Sequence, residues 1–451
     1  MPLPTAADLA EYAARRTRLM QTVGDGDIVI VPAARETVRN RDVHHRFRQD
    51  SDFWYLTGFP EPDAIAVLAP GRKQGTYLLF VRPRNPEREI WDGRRAGPEG
   101  AVRDYGAEQA FTIDQFAEQL PQLLAGRERI DYTLGEYPVR DAEITACVRQ
   151  IRELSRRGPA APAAFVALEA TLHEQRLIKS AHELGQIRHA CAVSARAHLR
   201  AMRYARPSRH EYQVAAEIHH EFELAGMQPG YGSIVGAGDN ACILHYVEND
   251  AELRDGQLLL IDAGGEYRGY TADITRTFPV GGRYSGPQRE IYELVLAAQL
   301  AAIAELKPGN DSGRPHQVAT RVLTEGMVAL GLLSGDVDEL IRTEAHKRFY
   351  MHGTGHWLGM DVHDVGRYRL AGKHRPFAPG MVMTVEPGLY VAPGSQGVDP
   401  CFHGIGVRIE DDVLVTEGGP EVLTAGVPKA IAEVEALMRE ARRDGDARRA
   451  A

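Results

Sequence analysis

Two aspartates interrupt an apolar stretch in the second half of the chain. Asp262 ends the apolar run 258–261, and Asp273 follows eleven residues later, beyond a Gly-rich turn at 264–270. A hairpin across this turn would bring the two carboxylates side by side. Buried together, neither would stay ionised without a compensating cation. The pair therefore indicates a metal site, although a turn-capping Asp262 and an exposed Asp273 would give the same pattern.

Three histidines within twelve residues form a second candidate group: His352, His356 and His363, in MHGTGHWLGMDVHD. The helical zinc motif HExxH does not fit, because no glutamate follows the first histidine and Gly353 and Gly355 disfavour a helix. The sequence instead predicts a loop, permitted by its glycines, that points imidazoles into one site.

Two glutamates lie within or at the end of apolar strand patterns: Glu386 in TVEPGLY and Glu410 in GVRIEDDVLV, where the acidic residues could also mark a turn. Four carboxylates balance the charge of two divalent cations, and such groups bridge ions about 3.5–4 Å apart in two-metal hydrolases. Oxygen ligands with one imidazole suit Mn²⁺, with Zn²⁺, Co²⁺ or Fe²⁺ as alternatives. The predicted metal ligands are Asp262, Asp273, His356, Glu386 and Glu410.

Strands joined by turns must position these residues. Strand patterns cover Gln257–Ala263, Ala272–Pro279, Met381–Tyr390 and Gly406–Val415, and helical patterns cover 288–306 and 315–331. Turn residues, rather than regular crossover helices, separate the strands, which favours a mixed or antiparallel sheet. Two long helices, interrupted near Ser180, precede this region.

The first part of the chain predicts a smaller α/β unit. Short β-rich runs at Asp27–Val31, Ala64–Leu68 and Tyr77–Val81 alternate with helical patterns, and the Pro/Ala-rich stretch 158–164 has the composition of a linker or a helix entry. We predict an α/β (α+β) protein with an amino-terminal domain over 1–172 and a catalytic domain over 173–440. Residues 441–451 form a charged tail that we expect to fray, with solvated arginines.

Composition and charge argue against a nucleic-acid-binding, a disulfide-rich or a membrane protein. The chain has 451 residues and a formal net charge of −9, so it has no basic footprint for nucleic acid or an anionic membrane. Its four cysteines are scattered, without a CxxC pair, as in reduced proteins. The amino terminus lacks the apolar region of a signal peptide, and no apolar run approaches a membrane span. We expect a cytoplasmic protein.

The motifs together resemble a known family. DAGGEYRGYTADITRTF, ILHY, HGTGHWLG, DVHDVG, TVEPGLY and GIGVRIEDD occur in the order found in the pita-bread metallopeptidases. RQDSDFWYLTGFPEPDA at 48–64 and EIWDGRRAG at 89–97 resemble the amino-terminal domain of the aminopeptidase P family, which methionine aminopeptidases lack. The resemblance covers nearly the whole chain, and creatinase, which shares the fold without the metal ligands, is excluded.

The resemblance implies a pita-bread catalytic domain with two metal ions that removes the first residue from peptides with proline at the second position. It places the metal ions on the five ligands already named and gives Glu386 a second role as the base. It also assigns substrate binding or proton handling to His245, His352, His363 and Arg408. Trp91 would reach from one subunit into the site of a neighbour, which implies a homo-oligomer, a dimer or tetramer. A core tryptophan of the small domain is the alternative.

Three other functions compete with this interpretation. A prolidase (Xaa-Pro dipeptidase) would share the fold and metals but cut only dipeptides. GSIVGAGDNA matches GxGxxA and suggests a nucleotide-binding oxidoreductase, but no βαβ rhythm continues after it. A non-catalytic pita-bread binding protein would lack metal ligands, and none is missing.

Overall fold

The computed structural model describes residues 3–156 and 158–450, with side chains to residue 443. The chain divides into two compact units, Met1–Gln175 and Arg176–Ala451. This division falls inside a helix and three residues beyond the domain boundary expected at 172/173. The mixed α/β class expected from the sequence is confirmed.

The first unit is a small α/β structure. Its helices are α1 (Ala6–Val23), α2 (Ser51–Thr57), α3 (Pro86–Asp92), α4 (Gly97–Tyr105), α5 (Phe116–Leu124), α6 (Pro138–Leu154) and α7 (Glu169–Leu177), the last of which crosses the division. Its strands are β1 (Asp27–Pro32), β2 (Val38–Asn40), β3 (Val43–His44), β4 (Ile65–Leu68), β5 (Tyr77–Val81), β6 (Gln109–Thr112), β7 (Arg129–Asp131) and β8 (Ala164–Val166).

Six of these strands form one sheet in the order β6-β5-β4-β1-β7-β8. Strand β1 pairs antiparallel with β4 and parallel with β7, and all six of its residues are buried. The Pro/Ala-rich stretch that resembled a linker instead leads into the edge strand β8. Backbone hydrogen bonds from Gly126 N to Ala160 O (2.9 Å) and from Ala163 N to Glu128 O (2.9 Å) hold it to the unit.

The second unit carries the remaining elements. Its helices are α8 (Ala181–Tyr204), α9 (Glu211–Leu224), α10 (Gly286–Ile303), α11 (Arg314–Ala329), α12 (Val337–Arg342) and α13 (Ile431–Ala450). Its strands are β9 (Gln228–Pro229), β10 (Ile234–Ala237), β11 (Leu258–Asp262), β12 (Gly265–Tyr267), β13 (Tyr270–Thr271), β14 (Thr275–Pro279), β15 (Arg369–Leu370), β16 (Lys373–His374), β17 (Val382–Val385), β18 (Gly388–Val391), β19 (Ile405–Arg408), β20 (Asp411–Thr416) and β21 (Gly419–Val422).

Helix starts in this unit follow local sequence signals. Ser180 and Ser285 cap α8 and α10, and each is matched three residues later by Glu183 or Gln288 in a capping box. The break expected near Ser180 is therefore the start of α8. The final helix continues through residues 441–450, which we expected to fray. At the start of this stretch the Arg442 guanidinium holds the helix to the unit, because it donates to the carbonyls of Val280 (2.6 Å) and Gly281.

The strand pairings described in the second unit are all antiparallel, in the orders β10-β11-β14, β13-β12-β9, β17-β20-β21, β18-β19 and β15-β16. GSIVGAGDNA enters a 3₁₀ turn at Gly238–Cys242 after β10, so the nucleotide-binding alternative is wrong. Two predicted strands are each broken in two: Met381–Tyr390 becomes β17 and β18, and Gly406–Val415 is covered by β19 and β20. The helices that the structure describes include none long and apolar enough to cross a membrane.

Candidate metal centre

One cavity of about 430 Å³ in the second unit collects almost all the residues that the sequence singled out. Its lining includes Asp262, Asp273, His356, Glu386, Glu410, His245, His352, His363 and Arg408. The one predicted site residue outside this lining is Trp91, which lies on α3 in the first unit and is 84% exposed.

The four carboxylates of this cavity lie where strands end. Asp262 is the last residue of β11, and Glu386 and Glu410 occupy the breaks between β17 and β18 and between β19 and β20. Asp273 precedes β14 instead of lying inside a strand as predicted. A residue at a strand break is not held in the hydrogen-bond ladder of the sheet. Pro387, which has no N–H to donate, lies in the break between β17 and β18. The acidic side chains therefore converge from loop positions held by a rigid sheet.

Tyr231 joins the two aspartates. Its hydroxyl lies 2.6 Å from Asp262 Oδ1 and is also hydrogen-bonded to Asp273 Oδ1. The register Asp262↔Thr275 between β11 and β14 sets the two carboxylates beside each other, as the hairpin argument predicted. A hydroxyl has one proton to donate, so two ionised carboxylates around it still need a cation.

His356 is oriented by its own backbone surroundings. Its segment runs beside β17, with Thr384 N donating to His356 O (2.9 Å) and Trp357 bridged to Met383. The ring Nδ1 lies 3.0 Å from Trp357 O, which assigns the proton to Nδ1. Nε2 faces Asp273 Oδ2 at 3.5 Å and Glu386 Oε1 at 3.7 Å. Although burial lowers it, the hydrogen bond and charge of Asp273 and the charge of Glu386 raise the pKa of His356 to about 9, so Nε2 also carries a proton without a metal ion. A metal ion would replace that proton at Nε2, while Nδ1 still donates to Trp357 O.

Arg408 connects three parts of the cavity wall. Nη2 donates to Asp262 Oδ2 (2.6 Å) and Nη1 donates to the Tyr390 hydroxyl (3.0 Å). Nε donates to Thr275 Oγ1 (3.2 Å), which in turn donates to Glu410 Oε2 (2.6 Å). The planar guanidinium is suited to such fixed contacts. Arg408 therefore fixes the orientation of two candidate ligands at once.

His352 shares Tyr390 with this arginine. Its Nε2 lies 2.9 Å from the Tyr390 hydroxyl and its Nδ1 lies 2.7 Å from Gly353 O. Burial and the positive charge of Arg408 lower the pKa of His352 to about 4. The imidazole is therefore neutral near pH 7, and it offers no charge to a substrate.

The other two histidines line the cavity with fewer restraints. The His363 ring packs edge-on against the His356 ring, with centroids 4.3 Å apart. Burial, together with the charge of His356, lowers the pKa of His363. His245 lies beside Leu244 on an exposed stretch of chain.

The donor set fits a divalent cation. Burial raises the pKa of Glu386 to about 7 against the positive charges of His356 and Arg408, and burial with neighbouring acids raises the pKa of Glu410. Asp273, His356 and Glu410 offer donor atoms that all lie within 4.8 Å of one another. Without a cation, acids crowded in this way hold protons near neutral pH, and a divalent cation would take the place of those protons.

Sequence reasoning missed Tyr231, Tyr390 and Thr275. Tyrosine and threonine are ordinary strand residues, so their types gave no signal. Gly388 was a usable clue, because a Cβ there would lie 2.5 Å from the Tyr390 hydroxyl. A glycine two residues before a tyrosine on one strand face marks a place where that hydroxyl needs room.

Comparisons with known proteins agree with this geometry. The model of metallopeptidase family M24 matches residues 185–417, and the model of the aminopeptidase P N-terminal domain matches residues 12–131. The Xaa-Pro aminopeptidase of Escherichia coli is 45% identical over 96% of this chain and 98% of its own. The Haemophilus influenzae Xaa-Pro aminopeptidase is 44% identical over 95% and 97%.

Solved structures of aminopeptidases have the same fold over nearly the whole chain. The aminopeptidase PepP of Pseudomonas aeruginosa has a TM-score of 0.95 at 56% identity, covering 96% of this chain and 99% of its own. Zinc-substituted E. coli aminopeptidase P in complex with product has a TM-score of 0.93 at 45% identity, covering 96% and 98%.

The fold and the cavity define a metallo-aminopeptidase. The chain belongs to metallopeptidase family M24, with the amino-terminal domain of aminopeptidase P, and the resemblance first seen in the motifs is confirmed.

Proposed function

We propose that this protein removes the amino-terminal residue from peptides whose second residue is proline. The observation that carries the proposal is the convergence of Asp273, His356 and Glu410 on one point of a cavity that is also lined by His245 and His352. The names of the relatives, Xaa-Pro aminopeptidases that match nearly the full chain, support the same activity rather than the dipeptidase alternative.

Two divalent ions, Mn²⁺ with Zn²⁺ or Co²⁺ as the alternatives, are part of this proposal. Asp262, Asp273, His356, Glu386 and Glu410 would hold them, with Arg408 and Tyr231 orienting the aspartates. When bound, such ions lower the pKa of water and polarise a carbonyl. The single imidazole among oxygen donors favours Mn²⁺ over Mg²⁺ or Ca²⁺.

The protein's own groups carry the protons. Glu386, whose pKa is raised to about 7, can accept a proton from the attacking water and pass it to the proline nitrogen as the bond breaks. His363, held at the edge of the His356 ring, can donate to the carbonyl oxygen as negative charge develops there. A donor of this kind is worth about 3 kcal/mol in related chemistry.

The leaving nitrogen explains the remaining histidines. Proline presents a tertiary amide without N–H, so its ring must be recognised by shape rather than by a hydrogen bond. His245 and the neutral His352 line the cavity where a ring would pack, and Arg408 fixes His352 through Tyr390. An α-amine beside the carboxylates would restrict cleavage to the first residue.

We also propose a cytoplasmic homo-oligomer, a dimer or tetramer. Trp91 is 84% exposed and its neighbour Ile90 is 81% exposed, so the two side chains form an apolar surface that a partner subunit would cover. Trp91 would then bind substrate in the site of a neighbouring subunit. The oligomeric state in solution, compared with that of Trp91→Ala, tests this part of the proposal.

Peptide cleavage tests the activity directly. The metal-loaded protein should release alanine from Ala-Pro-Ala and leave Ala-Ala-Ala intact. Glu410→Ala should lose cleavage and bound metal while keeping its circular dichroism spectrum, and the exposed Glu417→Ala serves as the matched control. Equal cleavage of both peptides would contradict proline specificity.

Metal exchange tests the cofactor. Chelation should abolish cleavage, and Mn²⁺ should restore it better than Mg²⁺ or Ca²⁺, because His356 suits a transition ion better than a hard cation. Full restoration by Mg²⁺ alone would count against the proposed ligand set.

A further inference from the structure

His245 lies on a segment that regular structure does not hold. The loop 237–251 starts at the end of β10, makes one 3₁₀ turn and then runs without strand or helix up to residue 251. Its outer face is exposed, with Ile243 at 53% and Val247 at 57% exposure. Among the described residues, no hydrogen bond reaches the His245 ring itself. The position of this imidazole therefore depends on whatever fixes the backbone of the loop.

The Glu211 carboxylate fixes that backbone at several points. Glu211 is the first residue of α9 and is fully buried. Oε1 accepts from Ala237 N (2.7 Å) and Asn240 Nδ2 (3.1 Å), while Oε2 accepts from the Tyr246 hydroxyl (2.8 Å) and Ala251 N (2.9 Å). Four donors to one buried carboxyl group make directional contacts in a place that water does not reach. They tie both ends of the loop and its middle to one helix terminus.

Tyr246 brings this restraint next to the cavity. It directly follows His245, and it is 6% exposed between two exposed neighbours, His245 and Val247. Its hydroxyl also lies 3.2 Å from Asp250 Oδ1, so the shorter contact to Glu211 receives the proton. Because the Tyr246 side chain is held inward, the backbone at this point is fixed, and so is the direction of the His245 side chain.

We propose that Glu211 is a positioning residue for His245, acting through the Tyr246 hydroxyl. The inference rests on the proposed function, because the contact of His245 with the substrate is part of that function. Glu211 touches no reacting atom, and its effect reaches the reaction through one neighbouring side chain. The alternative is that Glu211 only stabilises the fold, in which case loss of the hydroxyl contact would affect stability and leave the imidazole in place.

A double-mutant cycle separates these two roles. Tyr246→Phe keeps the buried ring and removes only the hydroxyl, with its contacts to Glu211 and Asp250, so it should fold where Glu211→Ala could fail to. We expect it to lower kcat/KM for Ala-Pro-Ala by about tenfold to about a hundredfold, since small misplacements of a contact group cost this much. In a His245→Ala background the same change should alter kcat/KM less than about twofold, because the residue being positioned is gone.

The control is Tyr284→Phe, which removes an equivalent buried hydroxyl contact, to Thr277 O at 2.8 Å, in the same unit. It should lower Tm to a similar degree without changing kcat/KM. Equal losses for Tyr246→Phe in both backgrounds, or no loss in the wild-type background, would overturn the proposal.

A second readout does not need activity. In metal-free protein labelled with ¹⁵N in histidine, the His245 ring signal, assigned by its absence in His245→Ala, should shift or broaden in Tyr246→Phe but not in Tyr284→Phe. An unchanged His245 signal would reject Glu211 as its positioning residue. If the wild-type protein cleaves no Xaa-Pro peptide, the proposed function fails while this spectrum still decides the structural inference.

Discussion

At the scale of single residues, the Tyr231 hydroxyl lies between two aspartates, Asp262 and Asp273, and it cannot neutralise both of them. Tyr231 can donate its single proton to Asp262 or to Asp273, but not to both. The carboxylate oxygens of Asp262 and Asp273 therefore still repel each other unless a cation lies between them. The hydroxyl thus orients the aspartates without neutralising them, which is the role of an outer partner of metal ligands.

Tyr231→Phe should therefore weaken metal binding rather than abolish it. Losing an outer partner of this kind costs about tenfold to about a hundredfold in metal affinity. Competition with a chromogenic chelator measures the change, and Tyr212→Phe, on an exposed side chain, provides the control. Unchanged affinity would mean that the hydroxyl does not orient the ligands.

A buried histidine outside the cavity contributes to the dependence of stability on pH in acid. His198 is fully buried, its Nε2 donates to Ala263 O (2.9 Å), and burial lowers its pKa from 6.5 to about 4. Between these two values the unfolded chain binds a proton that the folded chain refuses, so stability rises with pH in this window. The contribution is complete above pH 6.5 and is lost as the pH falls toward 4, a difference of about 3 kcal/mol.

His198→Gln should flatten that dependence. The amide can still donate to Ala263 O but does not titrate, so the free energy of unfolding should vary less between pH 4 and 6.5 in the variant. Urea unfolding at several pH values measures this, and the comparison of slopes removes any offset in overall stability. Equal slopes for both proteins would show that His198 titrates normally.

Residue types explain which parts of the site could be predicted. A carboxylate in an apolar stretch is costly to bury, so Asp262 and Glu386 were visible in the sequence as candidates for a cation site. Tyr231 carried no such signal, because its chemistry depends on a contact across 31 residues of chain. The positioning role proposed for Glu211 was invisible for the same reason.

At the scale of elements, the site depends on where strands stop. Alternation of apolar residues predicted the strands themselves, but continuous patterns at 381–390 and 406–415 concealed breaks at Glu386 and Glu410. Periodicity reports burial, and a loop residue buried between two strands continues the pattern. The loop that carries His352 and His356 packs against β17 so closely that a Cβ on Gly355 would lie 1.9 Å from Thr384 O.

Gly355→Ala should therefore displace His356 and lower metal affinity and kcat/KM by at least about tenfold, since neither backbone can yield without moving a ligand. Gly353→Ala is a matched control in the same motif, because nothing lies within 4 Å of a Cβ there. Isothermal titration with Mn²⁺ and peptide kinetics measure both variants. Equal behaviour of the two would show that the close approach does not position His356.

At the scale of the whole molecule, charge governs which peptides bind well. The chain carries a net charge of −9, and four carboxylates line the cavity. Arg408, the cation in the cavity wall, already donates to Asp262, Tyr390 and Thr275. Because Arg408 is engaged in this way, a carboxylate of the substrate would have no dedicated arginine or lysine to pair with in this lining.

Substrate length should follow from this balance. A dipeptide such as Ala-Pro places its free carboxylate within a few Å of the scissile carbonyl, whereas Ala-Pro-Ala replaces that charge with a neutral amide. We expect higher kcat/KM for the tripeptide at equal metal loading. Arg408 could pair with the carboxylate of the dipeptide only by giving up its ion pair with Asp262. Arg367 and Arg369 are exposed and are the alternative partners for the carboxylate. If the dipeptide is the better substrate, Arg367→Ala and Arg369→Ala should remove that advantage, and the enzyme would be a prolidase with the same metal centre.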